Sequence, residues 1–250
     1  MNSKILDLDD PSTYAGIFDE ILYADDIWPI LKEDFNGQQE IFNQNPENII
    51  NPDIKNLRYK CNEVFKKNYI CVMAYHACRT NNPEQYRQFG LLTALPERLE
   101  PKAREIFAGK EGLEKAISKE KSYFDAHGGQ IHMYISAKFA AIEYLDKGSM
   151  YFRRVGYNIG GDFKGQGKPV FVKCKLPLSW LQFFSSYWGK QRFLYRYVVA
   201  LMSECILVKI NPDNKHMYFN ETLAVSKDIP SKNVLAILPA EVCINWIKRG

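Results

Sequence analysis

The chain reads as an α+β protein, with one main sheet-bearing domain and helices both inserted between its strands and placed in an N-terminal extension. Three observations predict this. Apolar, β-compatible runs recur at 69–76, 130–135, 169–175, 217–225 and 234–238. Between them stand segments rich in Glu, Lys, Ala and Arg with few β-branched residues, most clearly 97–125, a composition that favours helix. A content of 46% hydrophobic and 14% aromatic residues over 250 positions supplies apolar surface for one substantial core.

Residues 1–60 are expected to form an acidic helical extension, and 61–250 the main domain. Short apolar clusters (Ile17-Phe18, Ile21-Leu22-Tyr23, Ile27-Trp28, Ile30-Leu31) recur at helical spacing, and an Asn-rich stretch with two prolines, Phe42 to Asn56, follows as a polar connector. Tyr69 to His76 is the first buried strand, with His76 at its end. Pro83 to Gly90 is a short helix, with proline where a first turn tolerates it and glycine where a helix stops.

After the charged segment, Gln130 to Ile135 is a strand, and Ser136 caps a helix running through Ala140, Ala141 and Tyr144. A glycine-rich stretch, Gly156 to Gly167, leads into the strand Pro169 to Lys175. That stretch lacks the spacing and the terminal Lys-Ser/Thr of a phosphate-binding P-loop, so it reads as a loop. Residues 178–187 and 191–205 are predicted helical. Met217 to Val225 and Val234 to Leu238 are two strands joined by a turn at Ile229-Pro230-Ser231-Lys232.

Charge divides unevenly along the chain. Residues 1–60 carry 5 Lys+Arg against 12 Asp+Glu, and the rest 28 against 17, so a net −7 segment precedes a net +11 body. A basic body suits a polyanionic ligand, either a dinucleotide pyrophosphate or a nucleic acid; a scattered solvated surface accounts for the same totals. Tyr187, Trp188, Arg192, Tyr195, Arg196 and Tyr197 interleave aromatic and basic residues, as nucleic-acid surfaces do and as amphipathic helices also do.

The six cysteines (Cys61, Cys71, Cys78, Cys174, Cys205, Cys243) include no C-x-x-C pair and several sit in apolar runs. They read as buried thiols of a reducing compartment, with no disulfide framework and no metal site. No run of about 18 apolar residues occurs. The first ten residues have acids where a signal peptide needs a basic and then an apolar region. A cytoplasmic chain without membrane contact is therefore expected.

Three separated pieces then carry a resemblance. The first is Ala74-Tyr75-His76-Ala77-Cys78-Arg79, followed by a short helix and Gly90-Leu91-Leu92. The second is Met133-Tyr134-Ile135-Ser136 with Ala140, Ala141 and Tyr144 on the next helix. The third is Asn220-Glu221-Thr222-Leu223-Ala224-Val225, followed by Ile229-Pro230 and Val234-Leu235-Ala236-Ile237. In this order they resemble the ADP-ribosyltransferase superfamily, in its poly(ADP-ribose) polymerase-like, His-Tyr-Glu branch. The ADP-ribosyl toxins of bacteria that modify DNA have a similar opening and ending.

The resemblance implies a split, mixed or antiparallel sheet of that superfamily's type and NAD as substrate. It also implies a macromolecular acceptor, protein or nucleic acid, and a toxin or defence effector for which an antitoxin or regulatory partner stays open. Glu221, His76 and Tyr134 would be catalytic. His76, the Ala77 backbone, Arg79, Tyr134, Tyr144 and Lys168 would hold NAD, with Arg79 or Lys168 facing the pyrophosphate.

The chemistry suits these residue types. Cleaving the nicotinamide–ribose bond develops positive charge at the ribose carbon, which a carboxylate stabilises, and the same carboxylate can accept a proton from the incoming nucleophile. Aromatic faces hold a charged pyridinium ring by stacking and cation–π attraction. The chain departs from the family pattern in two places. Phe219 stands two before Glu221, where arginine-modifying members carry an acid or glutamine, so arginine is disfavoured as acceptor. Ala140 and Ala141 stand where relatives often carry a serine that binds the nicotinamide amide. Hydrolysis of NAD, or a silent module with the same cleft, are the alternative readings.

Overall fold

The computed structural model describes residues 4–14, 16–17, 49–93, 100–101, 104, 108–109, 111–115, 117–118, 121–122, 130–137, 168–185, 222–239 and 241–242, without the side chains of residues 58, 79, 181–185 and 222. The chain divides into two compact units, Met1–Met73 with Pro177–Glu221, and Ala74–Leu176 with Thr222–Gly250. The described residues are α+β, with a mostly antiparallel sheet.

The first unit is organised by a helix that the sequence reading did not anticipate, α1, Pro52–Asn68. It starts inside the stretch expected to be a connector. Asn51 is its N-cap, accepting hydrogen bonds from the backbone N–H groups of Asp53 at 2.9 Å and Ile54 at 3.4 Å. Pro52 occupies the first turn, where its missing N–H has no partner to lose. Ile54, Leu57, Cys61 and Phe65 recur at spacings of three and four and are wholly buried. Lys66 and Lys67 close the last turn, where cations suit the helix dipole.

A short strand β1, Lys4–Leu6, runs parallel to the first residues of β2, Tyr69–Thr80. Tyr69 packs its ring 5.3 Å from that of Phe65 and donates its hydroxyl to the Thr13 carbonyl at 2.9 Å, tying α1 to the N-terminal turn. A 3-10 turn, Leu178–Phe183, leads to a two-residue strand β5, Phe184–Ser185. Over residues 178–185 this replaces the helix expected at 178–187. The amphipathic clusters beyond Ile17, at 18–31, and the helix at 191–205 lie outside the described residues.

In the second unit the strand order is β6–β3–β2–β4–β7, with β3 at Ile131–Tyr134, β4 at Lys168–Pro177, β6 at Thr222–Val225 and β7 at Val234–Pro239. The β2–β3, β3–β6 and β4–β7 pairs are antiparallel. Phe171, Val172, Cys174 and Leu176 on β4 are buried to the last atom, which makes β4 a central strand of the core. Strand β2 continues four residues beyond the predicted end, so His76 lies within it. The two late strands are joined by a turn, but they do not pair with each other: β6 lies against β3 and β7 against β4.

The helix α2, Glu84–Phe89, ends on Gly90 as expected, with Gly90 at φ +77°. Four of the six cysteines are described; all four are buried and unbridged. Burial pushes the Cys174 thiol far above its usual range. Of the charged segment at 97–125, the described residues carry a surface network in which Glu100 pairs with Lys121 at 2.7 Å and Arg104 at 2.8 Å, and Arg104 also pairs with Glu114. Lys121 first and then Arg104 hold the Glu100 carboxyl below its usual value, and Arg104 does the same to Glu114. No described helix is long and apolar enough to cross a membrane.

Candidate functional site

One strand from each sequence piece, β2, β3 and β6, lies beside the next, whereas residues 234–237 of the third piece form β7, beyond β4 on the other side of β2. Tyr75 of β2 stands opposite Tyr134 of β3, and Tyr134 stands opposite Thr222 of β6. Residues 131–134 and 222–225 pair along four positions, from Ile131↔Val225 to Tyr134↔Thr222. In an antiparallel ladder, directly opposed residues project to the same face, so Tyr75 and Tyr134 share one, and His76, the next residue of β2, projects to the other.

His76 is half-buried on β2, and its Nδ1 lies 2.9 Å from the His132 carbonyl. A carbonyl only accepts, so Nδ1 carries the proton. In the neutral ring Nε2 is then the acceptor nitrogen. Ala77 follows in the same strand, buried. The backbone of Arg79 lies near the end of β2, and its side chain is outside the described residues. Tyr134 closes β3 and is 2% exposed; Tyr75 beside it is 1% exposed. Both rings belong to the core. Lys168 opens β4 at an exposed position. Tyr144 and Glu221 lie outside the described residues, although Thr222, which follows Glu221 in sequence, is the residue facing Tyr134.

Two features near these strands were not singled out from the sequence. Tyr75 carries Lys173 over its ring, with Nζ 5.5 Å from the centroid, a cation–π contact across β2 and β4. The second is a polar clasp between the segment after α2 and the β6–β7 connection. Leu91 and Ile229 exchange reciprocal backbone bonds at 2.9 and 2.8 Å. Thr93 gives both its backbone N–H and its hydroxyl to Asp228 Oδ1 at 2.8 Å each. A Cβ at Gly90 would lie 2.0 Å from the Ile229 carbonyl oxygen, so the approach itself requires glycine. Buried Asn233 then donates to the Lys175 carbonyl at 2.7 Å, fixing the start of β7 against β4. Local signals pointed only to a turn here; its partner lies 135 residues away in the chain.

A separate concavity of about 440 Å³ lies in the first unit, lined by the start of β2 from Tyr69 to Cys71, by Lys66 and by the 177–179 segment. None of the expected site residues borders it. The chain matches no protein-family profile, no curated protein and no solved structure.

Proposed function

We propose that the chain is a mono-ADP-ribosyltransferase that consumes NAD and transfers ADP-ribose to a protein or nucleic acid, in the manner of a toxin or defence effector. The observation that carries this reading is the adjacency of β2, β3 and β6. The segments holding His76, Tyr134 and the residue after Glu221 are far apart in sequence and lie side by side in the sheet. In this reading the superfamily's split sheet is the scaffold. His76 contacts a ribose through Nε2, Tyr134 and Tyr144 flank the nicotinamide, and Ala77, Arg79 and Lys168 complete the dinucleotide site.

In the reaction, the bond between the nicotinamide nitrogen and the ribose carbon breaks, and nicotinamide leaves with the bonding electron pair. Glu221 offsets the positive charge left on the ribose and takes the proton of the acceptor as the new glycosidic bond forms. The test is to incubate purified protein with NAD labelled in its adenylate half, with and without cell lysate. Free nicotinamide together with label in a macromolecule is the expected outcome. Nicotinamide without macromolecular label makes the protein an NAD hydrolase.

A second reading, a silent ADP-ribosyltransferase-like binding module, is favoured by two specific observations. At 2% exposure the Tyr134 ring offers little face for a pyridinium to stack on, and His76 projects to the opposite face of the sheet from Tyr134. Absence of nicotinamide release under both conditions selects that reading.

A further inference from the structure

The geometry points to self-association of this chain through β7, by antiparallel pairing with β7 of a second copy about a two-fold axis at Ile237. Among the described strands β7 pairs only with β4 and ends the sheet order, so among the described residues its other side is a sheet edge. An edge presents backbone donors and acceptors ready for another strand, and soluble proteins usually guard it with charge, bulges or proline. From Val234 to Pro239 the strand has no charged residue, and none of its six residues is buried.

The strand carries two of those guards, a bulge and a closing proline, and the stretch left between them sets the pairing. Ala236 faces Lys173 and Val234 faces Cys174, so Leu235 is an extra residue, bulged out and 42% exposed. Pro239, also exposed, closes the strand and lacks an N–H. A two-fold pairing centred on Ile237 puts Leu235 opposite Pro239 of the second copy. The missing donor then falls at the bulge, where the ladder is already interrupted. Small Ala236 meets large Leu238, and Ile237 meets its own copy.

Charge favours a second copy over an unrelated strand. Exposed Lys232 stands just before the strand and exposed Glu241 just after it. Lys232 lies in the 3-10 turn before the strand and Glu241 in a helical turn after it, so antiparallel pairing brings the Lys232 end of each copy to the Glu241 end of the other, and opposite charges bracket the apolar centre. The same strand in parallel would set like charges together. The free stretch between bulge and proline is short, so the association is a modest one, reading as a concentration-dependent equilibrium.

The experiment is sedimentation of the full chain from low micromolar to several hundred micromolar. The expected result is a shift from the 29.0 kDa monomer toward twice that mass. Leu235→Lys should abolish the shift. Lys232→Glu or Glu241→Lys alone should weaken the dimer about tenfold, since each variant turns two attractive pairs repulsive, and the double exchange should restore it. All three sites are exposed, and unchanged far-ultraviolet circular dichroism verifies folding. A chain that stays monomeric throughout, leaving the edge to a strand of another protein, overturns the proposal. So does a dimer indifferent to Leu235→Lys and to the charge reversals. NAD turnover plays no part in these readouts, so the outcome is independent of the enzymatic reading.

Discussion

Single residues fix the most constrained points of the second unit. Gly90 is held at φ +77°, where any other residue is strained, and lies against the Ile229 carbonyl. Gly90→Ala is expected to cost at least about 2 kcal/mol in urea unfolding, with an unchanged denaturant slope, because the added methyl must displace backbone and not a flexible side chain. The glycine was legible as a helix stop; its second duty, admitting Ile229, was not, since nothing local names the partner.

Cys174 gives a pH dependence. Its thiol is buried on a central strand and kept neutral by desolvation, so its folded pKa lies above the unfolded one. The folded state then binds the proton more tightly. The contribution is whole below the unfolded thiol value of about 8.5 and is lost as pH rises beyond it. Unfolding free energy should fall between pH 8 and pH 10, and Cys174→Ala should flatten that fall by about 2 kcal/mol. An equal fall in the variant would contradict this account.

At the scale of elements, strands were read well where composition alone decides. The segments 130–135 and 169–175 emerge as β3 and β4, and 234–238 as β7, because a run of apolar and β-branched residues has few other uses. Helix α1 was missed because Asn51 and Pro52 belong to an Asn-rich, proline-containing stretch and so resemble loop residues. They are an N-cap and a first-turn proline. The stripe Ile54, Leu57, Cys61, Phe65 held the signal that would have found it. Asn51→Ala should therefore lower stability by about 1 kcal/mol in the same unfolding assay, by freeing two helix N–H groups.

The 178–187 segment misleads in the opposite sense. Its aromatic and leucine spacing suits a helix, and the chain makes a 3-10 turn and enters a strand. The parting of β6 from β7 also escapes local reading. Leu91 pairs with Ile229 and Asn233 binds Lys175, and these non-local bonds leave the connection as a clasp and not a hairpin.

At the scale of the whole molecule, what the sequence order suggested was a set of three pieces, and the fold sets one strand of each side by side while 234–237 goes to β7 beyond β4. Register could not be read beforehand, because which residues oppose one another depends on pairing partners chosen across the chain. His76, Ala77, Tyr134 and Lys168 can be set on described strands, the first with its tautomer fixed by a neighbouring carbonyl. The burial of Tyr75 and Tyr134 was not legible, since tyrosine serves equally as a core ring and as a ligand platform.

The central proposal is that Glu221 supplies the carboxylate that breaks the bond between nicotinamide and ribose. Its most direct measurement is the rate of nicotinamide release from NAD by the purified protein and by Glu221→Gln, which preserves shape and removes charge. The account predicts steady release by the native chain and a loss of about a hundredfold or more in the variant, with the unfolding curve unchanged. Equal rates in the two proteins, or no release from either with and without lysate, would contradict it.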